Sequence, residues 1–244
     1  MFSFFSKKVE ADLSFLGADM HSHLLPSLDD GLQTMEQTID FVRQLHTLGY
    51  SKLICTPHII SDIHPNSPET ILPRLHEVQQ QILQHNIPVQ IEAAAEYMVD
   101  LDFEEWIRLD KPLLTFGDKY ILIEMSFIAP SPNIETVIFE LCLRGFKPVF
   151  AHPERYTYYH DLFDKYQRMI DLGCALQVNL LSLSGYYGGY VKKIAEKLLK
   201  NNMIQFAGTD MHHERHMEAL QDLATKKEFY DLLLYTNFKN KSLL

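Results

Sequence analysis

Short apolar runs alternate along this chain with longer stretches whose apolar residues recur at helical spacing. From Thr34 to Leu48, Met35, Ile39, Val42 and Leu45 form one helical stripe that Gly49 stops. Lys52 to Thr56 then reads as a buried strand, and Pro68 to Asn86 as a more polar helix that starts or kinks at Pro73. Pro88 to Ala95 is a third strand, after the apolar run Leu13 to Leu16 and the segment that follows it. Asp100 to Arg108 reads as a short helix, and Lys111 to Thr115 as a brief connecting strand. Tyr120 to Ile123 is a clear strand. The helix after it carries Ile134, Val137, Ile138 and Leu141 on one face and closes at Gly145. Strands are expected at Lys147–Ala151, Cys174–Val178 and Met203–Ala207, and helices at Leu162–Leu172 and Val191–Asn201. Leu180 to Gly189 is a loop, and Glu214 to Asn237 is helical, as two helices.

About seven strands in strict alternation with helices predict a parallel α/β fold. His21, His58, Glu96, Glu124, His152 and Asp210 all fall at or just beyond the end of an expected strand. One polar residue at a strand end is ordinarily a hydrogen-bonded loop residue or a helix cap. Six such ends are better explained by convergence. In a β/α barrel the strand ends meet on one face around one centre, whereas an open sheet lines them along a crevice, so the pattern favours a barrel. His21-x-His23 places two imidazoles on one side of an extended strand, and Asp210-x-His212 repeats the spacing on the last strand. Asp29 and Asp30 add carboxylates near the first pair. Histidine with carboxylate suits zinc, manganese or iron.

The 244 residues are 46% hydrophobic, enough for a sizeable core. A net charge of −10 argues against nonspecific binding to nucleic acid or anionic membranes, though bound cations can invert the sign of a site locally. No apolar run is long enough to insert in a membrane, and Met1 to Lys8 lacks the order of a secretory signal, so the expected location is cytoplasmic. Cys55, Cys142 and Cys174 form no CxxC pair. The residues six positions after them are Ser61, Pro148 and Leu180, none an arginine, which excludes a thiol-type tyrosine phosphatase. No Gly-x-Ser-x-Gly elbow surrounds Ser182 or Ser184. Two tyrosine clusters, Tyr156, Tyr158 and Tyr159 and then Tyr186, Tyr187 and Tyr190, suit either a rim on which an aromatic ring stacks or simple loop packing.

The ordered set His21-x-His23, Asp30-Gly31, Thr56-Pro57-His58, Glu96, Glu124, His152-Pro153-Glu154-Arg155-Tyr156 and Gly208-Thr209-Asp210-x-His212 resembles the PHP (polymerase and histidinol phosphatase) superfamily. Within it the chain looks most like the bacterial tyrosine-protein phosphatases of capsule and exopolysaccharide loci, over residues 17 to 225. The resemblance implies one domain over 1–244, with residues 1–16 as an N-terminal extension. It also implies a distorted (β/α)7 barrel and three divalent ions, manganese first and iron or zinc as alternatives. His21, His23, Glu96 and Asp210 would hold the first ion. Glu96 would bridge to a second, also held by Glu124 and His152, and Asp30, His58 and His212 would hold the third. Arg155 would grip a substrate phosphate oxygen. Relatives carry a further arginine beyond the last Asp-x-His. Arg215 is the nearest candidate, in a run that departs from the family pattern.

The activity so implied is hydrolysis of protein phosphotyrosine, on the tail of an autophosphorylated bacterial tyrosine kinase that controls capsule synthesis. Water activated between cations would attack phosphorus in line while Arg155 stabilises the transferring group. Two alternatives share the ligand set: a small-molecule phosphomonoesterase of histidinol-phosphatase type and a non-catalytic metal-binding accessory module. An open mouth fits a peptide and a lidded pocket fits a metabolite. The short loops lean toward the open mouth.

Overall fold

The computed structural model describes residues 9–233 and 236–244. Phe2, Phe4 and Phe5 of the N-terminal extension and residues 234–235 lie outside the described residues, and Thr236 and Asn237, expected to end the last helix, are not helical. Among the described residues nine strands run in chain order: β1 (Ala18–Asp19), β2 (Lys52–Cys55), β3 (His58–Ile59), β4 (Gln90–Ala93), β5 (Glu96–Met98), β6 (Tyr120–Glu124), β7 (Lys147–Ala151), β8 (Ala175–Asn179) and β9 (Phe206–Gly208). All pair in parallel, in two sheets ordered β1-β2-β4 and β3-β5-β6-β7-β8-β9.

The two sheets share strand lines. β2 and β3 are one line interrupted at Thr56-Pro57, where proline supplies no ladder donor. β4 and β5 are another, interrupted at Ala94-Ala95. The registers Cys55↔Ala93 and His58↔Glu96 keep the two lines paired across both breaks. The breaks explain why nine strands appear where about seven were expected. β1 also lies against β9. The Asp210 N–H donates to the His21 carbonyl (2.8 Å), the His23 N–H donates to the Met211 carbonyl (3.0 Å), and Ser22 bridges Met211 in parallel. Asp19, fully buried, accepts from the Thr209 hydroxyl (2.6 Å) and its N–H (3.0 Å).

The helices follow the apolar stripes: α1 (Met35–Thr47), α2 (Pro68–Gln84), α3 (Leu101–Arg108), α4 (Ile134–Leu143), α5 (Asp164–Asp171), α6 (Gly189–Lys200), α7 (Glu214–Leu223) and α8 (Lys227–Leu233). α1 buries Ile39, Val42 and Leu45, and α4 buries all four stripe residues. α2 begins at Pro68, so Pro73 lies inside it rather than at its start. Lys111 to Thr115 is not a strand. The chain there has no ladder, and Leu114 instead donates its N–H to the Tyr97 hydroxyl (2.7 Å). No helix among the described residues is long and apolar enough to cross a membrane.

The strands place the site by period-two alternation. A small apolar cluster holds Ala18, Ile54, Ala94, Leu122, Val149 and Phe206, drawn from most of the strand lines. Two or four residues further along, on the same strand face, stand His58, Glu96, Glu124 and Asp210. The interior therefore changes from apolar to ionisable along the strands. The chain's end caps the apolar side, with Leu243 in this cluster. Asn240, fully buried, donates to the carbonyls of Ala18 (2.9 Å) and Ala207 (2.7 Å) and accepts from the Ala207 N–H (3.0 Å). It stitches β1 to β9.

Removing that stitch leaves three buried backbone groups unpaired. Asn240→Ala is expected to cost about 3 kcal/mol in urea unfolding. A loss below about 1 kcal/mol would show that the β1–β9 seam does not depend on it.

Candidate metal centre

Nine ionisable side chains meet where the strands end. Glu96 lies at the middle and is fully buried. Its Oε2 is 3.1 Å from His21 Nε2, 3.4 Å from His23 Nε2 and 3.2 Å from His58 Nδ1, and its Oε1 is 3.1 Å from His152 Nε2. Asp210 Oδ1 lies 3.3 Å from His21 Nε2 and 3.4 Å from His23 Nε2. The two Nε2 atoms of His21 and His23 are themselves 3.2 Å apart, the convergence that i, i+2 spacing predicted. Asp30, the most exposed of the set, lies 3.6 Å from His58 Nε2 and 3.5 Å from His212 Nε2.

Three groups of side chains bring candidate ligand atoms within 4.8 Å of one another: His21, His23, Glu96 and Asp210; His23, Asp30, His58 and His212; and His58, Glu96 and Glu124. The first is the expected first set. The second is the expected third set with His23 added. The third differs from expectation, since His58 stands where His152 was placed; His152 reaches the cluster through Glu96. Arg215 is not brought to the cluster at all. It is exposed on α7 and does not line the cavity.

The donor chemistry fits divalent metal. In their neutral forms three imidazoles have Nδ1–H fixed by an acceptor: His21 by Gln177 Oε1 (2.9 Å), His23 by Asp29 Oδ2 (2.7 Å) and His212 by the Asp210 carbonyl (2.8 Å). That leaves each Nε2 lone pair aimed into the cluster, the arrangement by which outer partners orient metal-binding histidines. His58 Nδ1 and Glu124 Oε1 lie 2.8 Å apart yet make no aligned hydrogen bond, and neither has a hydrogen-bond partner elsewhere among the described residues. Two buried polar atoms left orphaned side by side are costly unless a third species satisfies both.

Charge follows the geometry. Burial opposes charge on His58, but the Glu124 and Glu96 carboxylates outweigh it and push its pKa up to about 9. Burial likewise opposes charge on His21 and His23. Glu96 and Asp210 raise the first, and Asp29 raises the second well above its ordinary range. Burial would raise Glu96 and Asp210, yet the surrounding imidazoles hold both well below the usual carboxylate range. Hydrogen bonding to His212 holds Asp30 down to about 2.

Backbone shape aims two of these groups. His152 (φ 33°) and Asp210 (φ 51°) are both left-handed, a conformation that costs a non-glycine residue about 1–2 kcal/mol. Gly31 lies so close to the His23 carbonyl that a Cβ would sit 2.3 Å from it, which is why the Asp29–Asp30 loop needs glycine there.

A cavity of about 200 Å³ opens over the cluster, lined by Phe127, Arg155, Tyr187, His213 and His216 besides the candidate ligands. Arg155 Nη1 donates to Asp210 Oδ2 (2.7 Å). Sequence reasoning missed Phe127, His216, Gln177 and the part Asp29 plays. Gln177 alone left a trace, as a polar residue inside an otherwise apolar strand. The tyrosine clusters divide. Tyr156 and Tyr159 are buried packing residues, Tyr187 lines the cavity, and Tyr186 and Tyr190 are exposed.

Fold and donor set together define a parallel α/β protein with a multi-residue histidine–carboxylate cluster able to hold divalent metal. Residues 17–228 match the family described as capsular polysaccharide synthesis, CpsB/CapC, and the chain belongs to that family. It is 29% identical to the tyrosine-protein phosphatase YwqE of Bacillus subtilis over 232 residues, 93% of this chain and 90% of the relative. It is 26% identical to the tyrosine-protein phosphatase CpsB of Streptococcus pneumoniae over 219 residues, 86% and 90% of the two chains. A crystal structure from a study of YwqE and CpsB, described as unique metal-dependent tyrosine phosphatases, superposes with a TM-score of 0.78 at 26% identity, covering 93% and 94% of the two chains.

The metal-free cluster has a pH signature. A histidine whose folded pKa is raised contributes stability in full below its unfolded value and loses it as pH climbs through the folded value. For His58 that window runs from 6.5 to about 9. The unfolding midpoint of chelated protein should fall across it. Saturating divalent cation should reverse the trend, because ligands bind metal deprotonated. A midpoint that is flat over this range in both forms would contradict the assignment.

Proposed function

We propose that this protein is a metal-dependent phosphatase of protein phosphotyrosine. The observation that carries the reading is the convergence of His21, His23, Glu96 and Asp210 within 4.8 Å, with Arg155 at the wall of the open cavity above them. Membership of the CpsB/CapC family and the names of its phosphatase relatives support it. The fold we read as a single domain, a distorted (β/α)7 barrel closed between β1 and β9. The Ser22–Met211 bridge, the Asp19–Thr209 pair and the Asn240 stitch support that closure.

His21, His23, Glu96 and Asp210 would hold one ion. His58 and Glu124 would hold a second with Glu96, with His152 beside it. Asp30, His58 and His212 would hold a third. Manganese is the first expectation, with iron and zinc as alternatives. Such ions supply Lewis acidity, lowering the pKa of water and polarising phosphoryl oxygens. The chain's own part is positioning. Asp29 and Gln177 orient the imidazoles. Arg155, a planar donor with several N–H groups, holds phosphoryl oxygens and stabilises the charge that develops on them.

The cavity opens past Asp30, whose side chain is 63% exposed, so a tyrosine on a polypeptide can reach it. That openness favours a protein substrate over a small metabolite. The phosphotyrosine tail of a bacterial tyrosine kinase acting in capsule or exopolysaccharide synthesis is the substrate we assign, in the cytoplasm.

The test is phosphate release from a phosphotyrosine peptide, a phosphoserine peptide and histidinol phosphate, after chelation and again after Mn²⁺ is restored. Activity that returns with metal and is confined to phosphotyrosine is expected. Preference for histidinol phosphate would move the assignment to a metabolite phosphatase, and no release from any of them would leave an accessory module.

A further inference from the structure

Arg155 is held in an unusual way for a side chain meant to meet a ligand. Its guanidinium lies 4.2 Å from the centre of the Tyr187 ring and 4.6 Å from that of Phe127. The two rings come from different loops, one after β6 and one after β8. At its edge, Nη1 is tied to Asp210 Oδ2 at 2.7 Å. Among the described residues no other guanidinium nitrogen of Arg155 has a partner, and the side chain lines the cavity, 21% exposed.

Each ring is itself braced. The Tyr187 hydroxyl accepts from Asn179 Nδ2 at 3.3 Å, and the same Nδ2 donates to Asp210 Oδ2 at 2.9 Å. Phe127 packs on Tyr156 with 5.4 Å between ring centres, and Tyr156 is fully buried, its hydroxyl accepting from the Met125 N–H at 3.0 Å. Tyr187 is thus the inner jaw, wired to the carboxylate that also anchors Arg155. Phe127 is the outer jaw, 46% exposed at the cavity mouth.

We propose that Phe127 and Tyr187 are positioning residues that clamp the Arg155 guanidinium between their faces and present its free N–H edge to the substrate phosphate. The proposal rests on the phosphatase reading above. A free arginine loses rotamer freedom when it grips an anion. One already confined to a plane by two aromatic faces loses less, so the preformed pose strengthens phosphate binding. The faces also attract the cation without using its donors, which stay available for oxygen.

The test is a double-mutant cycle on the manganese-loaded protein, read by calorimetric binding of inorganic phosphate and by kcat and KM on para-nitrophenyl phosphate. Phe127→Leu and Tyr187→Leu should each weaken inorganic phosphate roughly three- to tenfold, the range of a single cation–π contact. The same factor should appear mainly in KM. Phe127→Tyr and Tyr187→Phe, which keep the rings, should bind phosphate within about twofold of wild type. In an Arg155→Ala background, adding Phe127→Leu should change nothing further, because residues acting through one group are not additive. Thermal unfolding of each variant separates lost folding from lost positioning.

A penalty for Phe127→Leu that is as large without Arg155 as with it would overturn the clamp, as would a loss in Tyr187→Phe equal to that in Tyr187→Leu. Wild-type protein that binds manganese but neither binds phosphate nor hydrolyses the ester would instead overturn the phosphatase reading beneath it.

Discussion

The structure depends on one buried carboxylate. Glu96 is sealed from solvent and touched by four imidazoles, those of His21, His23, His58 and His152, at 3.1–3.4 Å. An isolated carboxylate there would be untenable, since burial of an unpaired charge costs several kcal/mol or drives the group neutral. The imidazoles around it reverse that balance and hold it ionised. The four come from three strand lines, His21 and His23 after β1, His58 on β3 and His152 after β7, so satisfying Glu96 also fixes how β1, β3, β5 and β7 end relative to one another. Folding and site assembly are therefore the same event at this end of the strands.

That arrangement also explains the outer layer. Asp29 and Gln177 do not touch Glu96, but they set which nitrogen of His23 and His21 faces it. Asp210 divides its oxygens. Oδ1 faces the histidines and Oδ2 receives Arg155 and Asn179. One side chain thereby links the cluster to the phosphate-facing arginine. The left-handed backbone at Asp210 is the local cost of reaching both.

Much of this was legible in the sequence because it follows simple periods. Helical stripes located the helices, strand ends collected His21, His58, Glu96, Glu124, His152 and Asp210, and alternation paired His21 with His23. Thr56-Pro57 marked the end of one strand but not its resumption at β3, and the break at Ala94-Ala95 lies inside an apolar run that gives no sign of it. That His58 rather than His152 lies 2.8 Å from Glu124 was not legible, since spacing along separate strands does not say which side chains meet across their ends. Asn240 and Phe127 were missed for a different reason. Their partners lie 33 or more and 25 or more residues away in sequence, and neither carries the chemistry that draws attention to a titratable group. Arg215 was chosen by proximity to His212 in sequence. A helix that starts at Glu214 turns that side chain outward to solvent.

The most direct test of the central claim is metal content by native mass spectrometry, comparing wild type with Glu96→Gln after equilibration with limiting Mn²⁺. The amide keeps the shape of Glu96 and removes its charge. If Glu96 is the shared ligand, wild type should hold more than one ion per chain, and Glu96→Gln, still folded, should lose more than one together. A variant that keeps the full wild-type complement, or a wild type that binds none, would contradict the account.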